Sequence, residues 1–219
     1  ILCFLTSLSY LFIEKISKRF LKIFLWLLIA SPPFLVYLGV SGKFNVFENL
    51  GFESYLMKSN LSADKTEELK ADTRTFIYTE VIGSALKHNY FWLGRSPALG
   101  NDSALFGESI DKDKGTDKRQ RFRNEVHFPN VFTWLGFIGM LLYCAIYFKS
   151  AYLSFYKSRN IFLKLVGVFI AFHFFYGWIE DVISFDILNI SNFMMIGIGF
   201  SEEFRNMTNR EFKNWFKNI

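Results

Sequence analysis

Metal-ligand spacings are missing from this chain. Its three histidines and two cysteines form no HxxxH, HExxH or CxxC pair, so a structural zinc site or a zincin-type centre has no basis in the sequence. Cys3 and Cys144 each sit inside an apolar run, where a packed thiol is the ordinary state, and they carry no disulfide or redox signal. GxSxG is absent, and GRSPALG (94–100) lacks the strand context and the charge of a phosphate loop. Proline is scarce, four residues against 28 phenylalanines, a Phe content well above the needs of an ordinary soluble core. An even scatter of charge is missing as well: charged residues gather in blocks between long apolar runs. Half of the residues are hydrophobic and a fifth are aromatic, so the chain either buries nearly everything or faces lipid. The block arrangement favours lipid.

The apolar blocks set the expected organisation. Residues 1–13 read as the tail of a helix whose start is missing. No Met and no basic flank precede them, so they do not resemble a signal peptide, and the chain is expected to be the C-terminal part of a longer protein. A basic connector at 14–22 leads into FLKIFLWLLIASPPFLVYLGV (20–40), long enough to span a bilayer and predicted to kink at Pro32-Pro33. Residues 126–148, 161–178 and 187–200 read as three further spans, joined by a basic, aromatic connector and an acidic turn at Glu180, Asp181 and Asp186. The polar tail, 201–219, places Phe212, Trp215 and Phe216 at helical spacing, the pattern of an amphipathic helix on a membrane surface.

Between these blocks, 41–125 is polar and holds 13 basic and 13 acidic residues. SADKTEELKA (62–71) opens with an N-cap and an acidic first turn, and so predicts a short surface helix. Thr73–Lys87 has apolar pairs at helical spacing and predicts a second helix. Residues 90–107 read as an aromatic, glycine-rich loop, and the charged run 110–123 as a solvated, mobile stretch. The connectors at 14–22 and 149–164 carry net charges of +3 and +4 and the tail +1, while the turn at 180–186 carries −3. Basic short connectors mark the cytoplasmic side, and long loops translocate whatever their charge. The 41–125 loop is therefore expected outside and the C-terminus inside. The basic pI is a topology signal, and a nucleic-acid partner is not expected.

Most of the chemistry lies in or beside that loop. Arg74, Arg95, Arg121 and Arg123 are candidate phosphate ligands, because a guanidinium gives a planar, permanently charged fork; a solvated face is the plainer reading for Arg121 and Arg123. For proton transfer the candidates are Glu125 and His127, where the loop returns to the apolar run, with Glu80 and His88 further away. Their plainer reading is an interfacial anchor for His127 and an ion pair from Glu125 to Arg121 or Arg123. His173 falls inside a predicted span, where an ionisable group draws attention, and Glu180 and Asp181 are candidates to line the same cavity.

RTFIYTEVIGSALKHNYFWLGRSPALGNDS (74–103) resembles the bacterial O-antigen ligase and polymerase family, in which an arginine-led helix precedes a glycine turn in a large periplasmic loop. EVHFPNVFTWLGFIGMLLY (125–143) is similar to the segment that follows in that family: a histidine, apolar residues, then a glycine pair, here Gly136 and Gly139. The resemblance spans most of 71–219. It implies an all-α, polytopic transmembrane helical bundle of the GT-C-like kind with a large, partly helical extracytoplasmic loop, in the bacterial inner membrane. It also implies a metal-independent transferase without cofactor, moving a glycan from undecaprenyl pyrophosphate to a hydroxyl of an acceptor glycan or glycolipid. Arg74 and Arg95 would hold the pyrophosphate, Glu125 or His127 would act as the base, and Arg123, Glu180 and Asp181 would be accessory. The family's histidine stands eleven residues before the first glycine; here that position is Glu125, and His127 stands nine before Gly136. The base is therefore left open between the two. The competing reading is a transporter or flippase of lipid-linked saccharides.

Overall fold

The computed structural model describes residues 17–41, 75–103, 119–182 and 186–218. Expectations for 1–16, the 62–71 helix, Arg74 and most of the charged run lie outside these residues. Among the described residues the protein is helical, apart from a two-residue antiparallel bridge. The helices are α1 (Lys18–Ala30), α2 (Pro32–Val40), α3 (Thr75–Lys87), α4 (His127–Tyr156), α5 (Ile161–Tyr176), α6 (Ile187–Phe200), α7 (Glu202–Asn206) and α8 (Asn209–Lys217). The bridge joins β1 (Asn101–Asp102) to β2 (Gln120–Arg121), with Asn101 opposite Arg121 and Asp102 opposite Gln120.

Two stretches are long and apolar enough to cross a membrane, Lys18–Val40 with 23 residues and His127–Tyr156 with 30. In the first, the chain breaks at Ser31 and restarts with Pro32, a residue suited to a helix start because it has no N–H to satisfy. The expected kink at the proline pair is present. In the second, the helix passes the expected end at Phe148 and runs to Tyr156. KSAYLSFY contains no breaker, so the basic connector is only its last turns plus Lys157–Asn160. Of the three spans expected after the loop, only α4 has spanning length; α5 and α6 have 16 and 14 residues, below the roughly 20 needed to cross. Both long stretches expose apolar side chains, among them Phe20, Ile23 and Leu27 on α1 and Leu135, Ile138 and Leu142 on α4.

The described residues form two compact units, which cut across the expected division into membrane and loop. One holds 17–32, 141–177, 182 and 186–218. Its helices pack through small residues: a Cβ on Gly199 would overlap Ser150 Oγ and Ser154 Oγ, and one on Gly167 would meet Ala151 O at 2.9 Å. Close approach of this kind serves helices that gain nothing from water exclusion. Ser150 donates to Ile196 O (2.9 Å) and Asn192 to Tyr147 Oη (3.0 Å). At the end of this unit Asn160 caps α5 by accepting from Leu163 N (2.8 Å) and donates to Phe204 O and Met207 O. The tail forms α7 and α8, with Thr208 and Glu211 in a capping box. Phe212 stacks on Phe162 at 5.3 Å, and Trp215 meets Phe204 edge-on at 4.8 Å. Two residues of the expected aromatic stripe, Phe212 and Trp215, thus find ring partners within the unit, while Trp215 stays 36% exposed.

The other unit holds 33–41, 75–103, 119–140 and 178–181. α3 buries Ile77, Tyr78, Val81, Ser84 and Ala85, a 3-4-1-spaced face as the apolar pairs predict. These pack with Tyr90, Val126 and Phe132, and half-buried Val36, Phe91, Phe137 and Trp178 close the cluster.

Candidate active site

The second unit is organised by an interrupted helix. At Gly136 (φ +69°) α4 leaves helical geometry, and the loop 91–96 fills the gap. In a regular helix Phe137 N would bond to Thr133 O, and Ile138 N to Trp134 O. Here Phe137 N donates to Phe91 O (2.8 Å) and Ile138 N to Trp92 O (3.2 Å), while Thr133 O accepts from Arg95 N (2.9 Å) and Trp134 O from Ser96 N (3.1 Å). The loop supplies all four partners, so the groups that the break separates on these two helix turns are paired. Gly94 (φ +71°) makes the turn that fits it there. A Cβ on Gly94 would overlap Trp134 O and Gly136 N, and one on Gly136 would overlap Gly94 N and Trp92 O. Both conformation and contact require glycine. Phe91 then sits against Phe132 and Phe137 (5.4 and 5.7 Å between ring centres).

This joint places Arg95. Its Cζ lies 4.8 Å from the centre of the Tyr90 ring, a cation–π contact, and its Nη1 is buried without an acceptor among the described residues. Tyr90 donates to Ser84 Oγ (2.8 Å), which also accepts from Asp102 N (2.9 Å). Burial pushes the Tyr90 hydroxyl above its usual pKa, against the opposing pull of Ser84 and Arg95. Lys87 Nζ and His88 Nε2 both reach Asp102 Oδ2, at 2.7 and 2.8 Å. Partial burial works against the Asp102 charge, but these two hydrogen bonds outweigh it and hold the carboxyl below its usual range.

The return of the loop is held by three buried asparagines. Asn130 Oδ1 accepts from Asn124 N (2.7 Å) and Asn124 Nδ2 (3.1 Å), Asn130 Nδ2 donates to Asn124 O (2.9 Å), and Asn124 Nδ2 donates to Asn101 Oδ1 (2.8 Å). With the β1–β2 bridge, this network ties the segment after Arg95 to the segment before His127. The segments that follow Arg95 and precede His127 therefore meet within one unit.

Of the residues singled out in the sequence, Glu125 is exposed and receives Arg121 Nη2 at 3.2 Å, its plainer reading. Arg121 is not on a solvated face: it is 7% exposed and also donates to Arg123 O (3.2 Å), because pairing of β2 draws it inward. Arg123 makes an ion pair with Asp181. His127 is buried, and its backbone N donates to Glu180 O (3.2 Å). Trp178 stacks on Phe128 at 4.2 Å and its carbonyl accepts from Tyr78 Oη (2.5 Å). The turn 178–181 thus lies against the return point. His173 belongs to the other unit. Arg74 lies outside the described residues.

The chain matches no protein-family model, no curated protein and no solved structure. Sequence reading missed the asparagine network and the His88–Asp102–Lys87 cluster. Asn101, Asn124 and Asn130 fall at no regular spacing, and only the bridge makes them neighbours. The glycines were visible, but Gly136 was paired with Gly139, while its structural partner is Gly94.

Proposed function

We propose that the chain belongs to a membrane glycan transferase, a polymerase or ligase that moves a glycan from undecaprenyl pyrophosphate to a sugar hydroxyl of an acceptor glycan or glycolipid in surface polysaccharide synthesis. The observation that carries this reading is the Gly94–Gly136 joint. It fixes Arg95 beside the start of a 30-residue apolar helix while one of its donors stays unused. Breaking the sugar–pyrophosphate bond leaves charge on the phosphate oxygens, and a preorganised guanidinium there stabilises the transition state. Arg74 is assigned the same role by resemblance. Glu125 and His127 lie at the return point, with Arg123, Glu180 and Asp181 around them. The polymerase is the preferred form, since the ligase reading leans on the histidine spacing that this chain lacks. The chain is placed in the bacterial inner membrane as a multi-pass protein, with the 41–125 loop periplasmic, on the clustered basic connectors and exposed apolar side chains.

The test is carrier turnover by the full-length protein in liposomes. Arg95→Ala is expected to lower it by about 100-fold or more, with Arg95→Lys restoring only part, because an ammonium lacks the fork. Unchanged turnover in both variants refutes the reading. Cysteines at Ala98, exposed in the loop, and Ser201 are expected to be labelled from outside and inside respectively; the reverse labelling overturns the topology. The helix break at Gly136 favours a second reading, a flippase of lipid-linked saccharides, since transporters place substrates at interrupted helices. Translocation of carrier-linked glycan without release of free carrier would select it.

A further inference from the structure

One cluster in the site is not used by the roles assigned so far. His88 follows the last residue of α3 and lies against β1, where Asp102 Oδ2 accepts from its Nε2 at 2.8 Å. With Nε2–H directed at the carboxylate, Nδ1 is the nitrogen that can accept a proton. The imidazole is about one-third exposed, so a substrate can reach it. By contrast, Glu125 is engaged by Arg121 and His127 is 5% exposed.

The pair is also connected to the arginine. Asp102 N and Tyr90 Oη meet at Ser84 Oγ, at 2.9 and 2.8 Å, and the Tyr90 ring carries Arg95 at 4.8 Å. His88, Asp102, Ser84, Tyr90 and Arg95 form one unbroken series of contacts. A base oriented by a carboxylate, joined through Ser84 and Tyr90 to a cation with an unused donor, supplies the two groups that transfer to a hydroxyl requires. Other charges in reach are Lys87 on the same carboxylate and Arg119, whose carbonyl accepts from Ser103 N (3.1 Å).

We infer that His88, oriented by Asp102, takes the proton of the acceptor hydroxyl, resting on the transferase reading above. In the step, the acceptor O–H proton passes to His88 Nδ1 as the acceptor oxygen bonds to the anomeric carbon. The bond from that carbon to the pyrophosphate oxygen breaks, and its electron pair stays on the pyrophosphate, facing Arg95. The imidazolium then returns its proton to water. Asp102 is a positioning residue, holding the ring through Nε2.

The experiment is the pH–rate profile of glycan transfer by the full-length protein in liposomes, using undecaprenyl-pyrophosphate-linked glycan. His88→Gln keeps a donor for Asp102 but cannot take a proton; it is expected to lower transfer by about 100-fold or more and to abolish the acid limb. Asp102→Asn is expected to lower kcat by about 10-fold or more with KM unchanged, since the ring is no longer held with Nδ1 as the accepting nitrogen. If thermal unfolding shows that His88→Gln does not fold, Asp102→Asn decides, and an unchanged kcat overturns the inference. Transfer with an unchanged rate and acid limb in His88→Gln overturns it too, as does a limb that disappears in His127→Gln instead; in both cases the transferase reading survives. A wild-type protein that transfers nothing removes both.

Discussion

The two units of this protein reach a defined structure by different means. In the unit of 141–177 and 186–218, order is local and helical: small residues set the spacing, and caps such as Asn160 and the Thr208–Glu211 box close the helix ends. In the unit of 75–103 and 119–140, order comes from distant backbone segments completing one another. Loop 91–96 supplies the hydrogen bonds that α4 gives up at Gly136, and Asn124 and Asn130 bond each other's polar groups. Local order tolerates change in small steps, whereas mutual completion fails when one side is disturbed. The candidate chemistry lies in the second kind of unit, where side chains are held from several directions.

The sharpest way to break this contrast is at the joint. Gly136→Val puts a β-branched residue at φ +69° and drives its Cβ into Gly94 N and Trp92 O. Backbone strain of about 1–3 kcal/mol adds to the loss of the loop's seating. We expect about 3 kcal/mol or more of destabilisation, read as a lowered thermal midpoint in detergent; a change below 1 kcal/mol would mean that the loop does not complete the helix. Next is Asn130→Ala, which removes the acceptor of Asn124 N and the donor to Asn124 O. Leaving such buried groups unpaired costs about 1–3 kcal/mol each, so a loss of about 2–4 kcal/mol is expected in the same assay.

The local unit should respond less. Thr208→Ala removes the N-cap of α8 and is expected to cost about 1 kcal/mol, seen as faster amide exchange in 209–217 with the rest unchanged. The smallest effect concerns pH. The Asp102 carboxyl is held below its usual range in the folded protein, so its contribution is complete above its unfolded pKa, about 3.9, and is lost as pH falls through the lower folded value. Unfolding midpoints measured from pH 6 down to pH 3 should drop by less in Asp102→Asn than in the parent. Equal slopes would show that Lys87 and His88 do not support that carboxylate.

Much of the helical organisation was legible in the residues. Apolar spacing marked α3, the proline pair marked the break between α1 and α2, and unbroken hydropathy marked α4. The end of α4 was misjudged because Lys149 reads as a boundary in a composition count, yet a single lysine does not stop a helix. Apolar content marked α5 and α6 as well, and their helices are shorter than those of the two long stretches, at 16 and 14 residues. Spacing marked the aromatic positions of α8, but that Phe212 and Trp215 meet Phe162 and Phe204 is announced by no spacing within 209–217.

The site was legible only in part. Arg95, His127 and the accessory trio were visible as residue types beside an apolar boundary, and the structure brings 178–181 against the return point. The partners were not. That Arg121 is the residue facing Glu125 depends on β2 turning inward, and that His88 faces Asp102 depends on β1 lying along the end of α3.

Sequence alone determined where helices form, which stretches are apolar enough for a bilayer and which residue types stand between them, because periodicity and composition act over a few neighbouring residues. Tertiary structure alone decided that Gly94 answers Gly136, that three scattered asparagines make one network and that Arg95 and His88 share a cluster. Backbone groups left open by one segment must be paired by another, and which segment does so depends on the geometry of the folded chain.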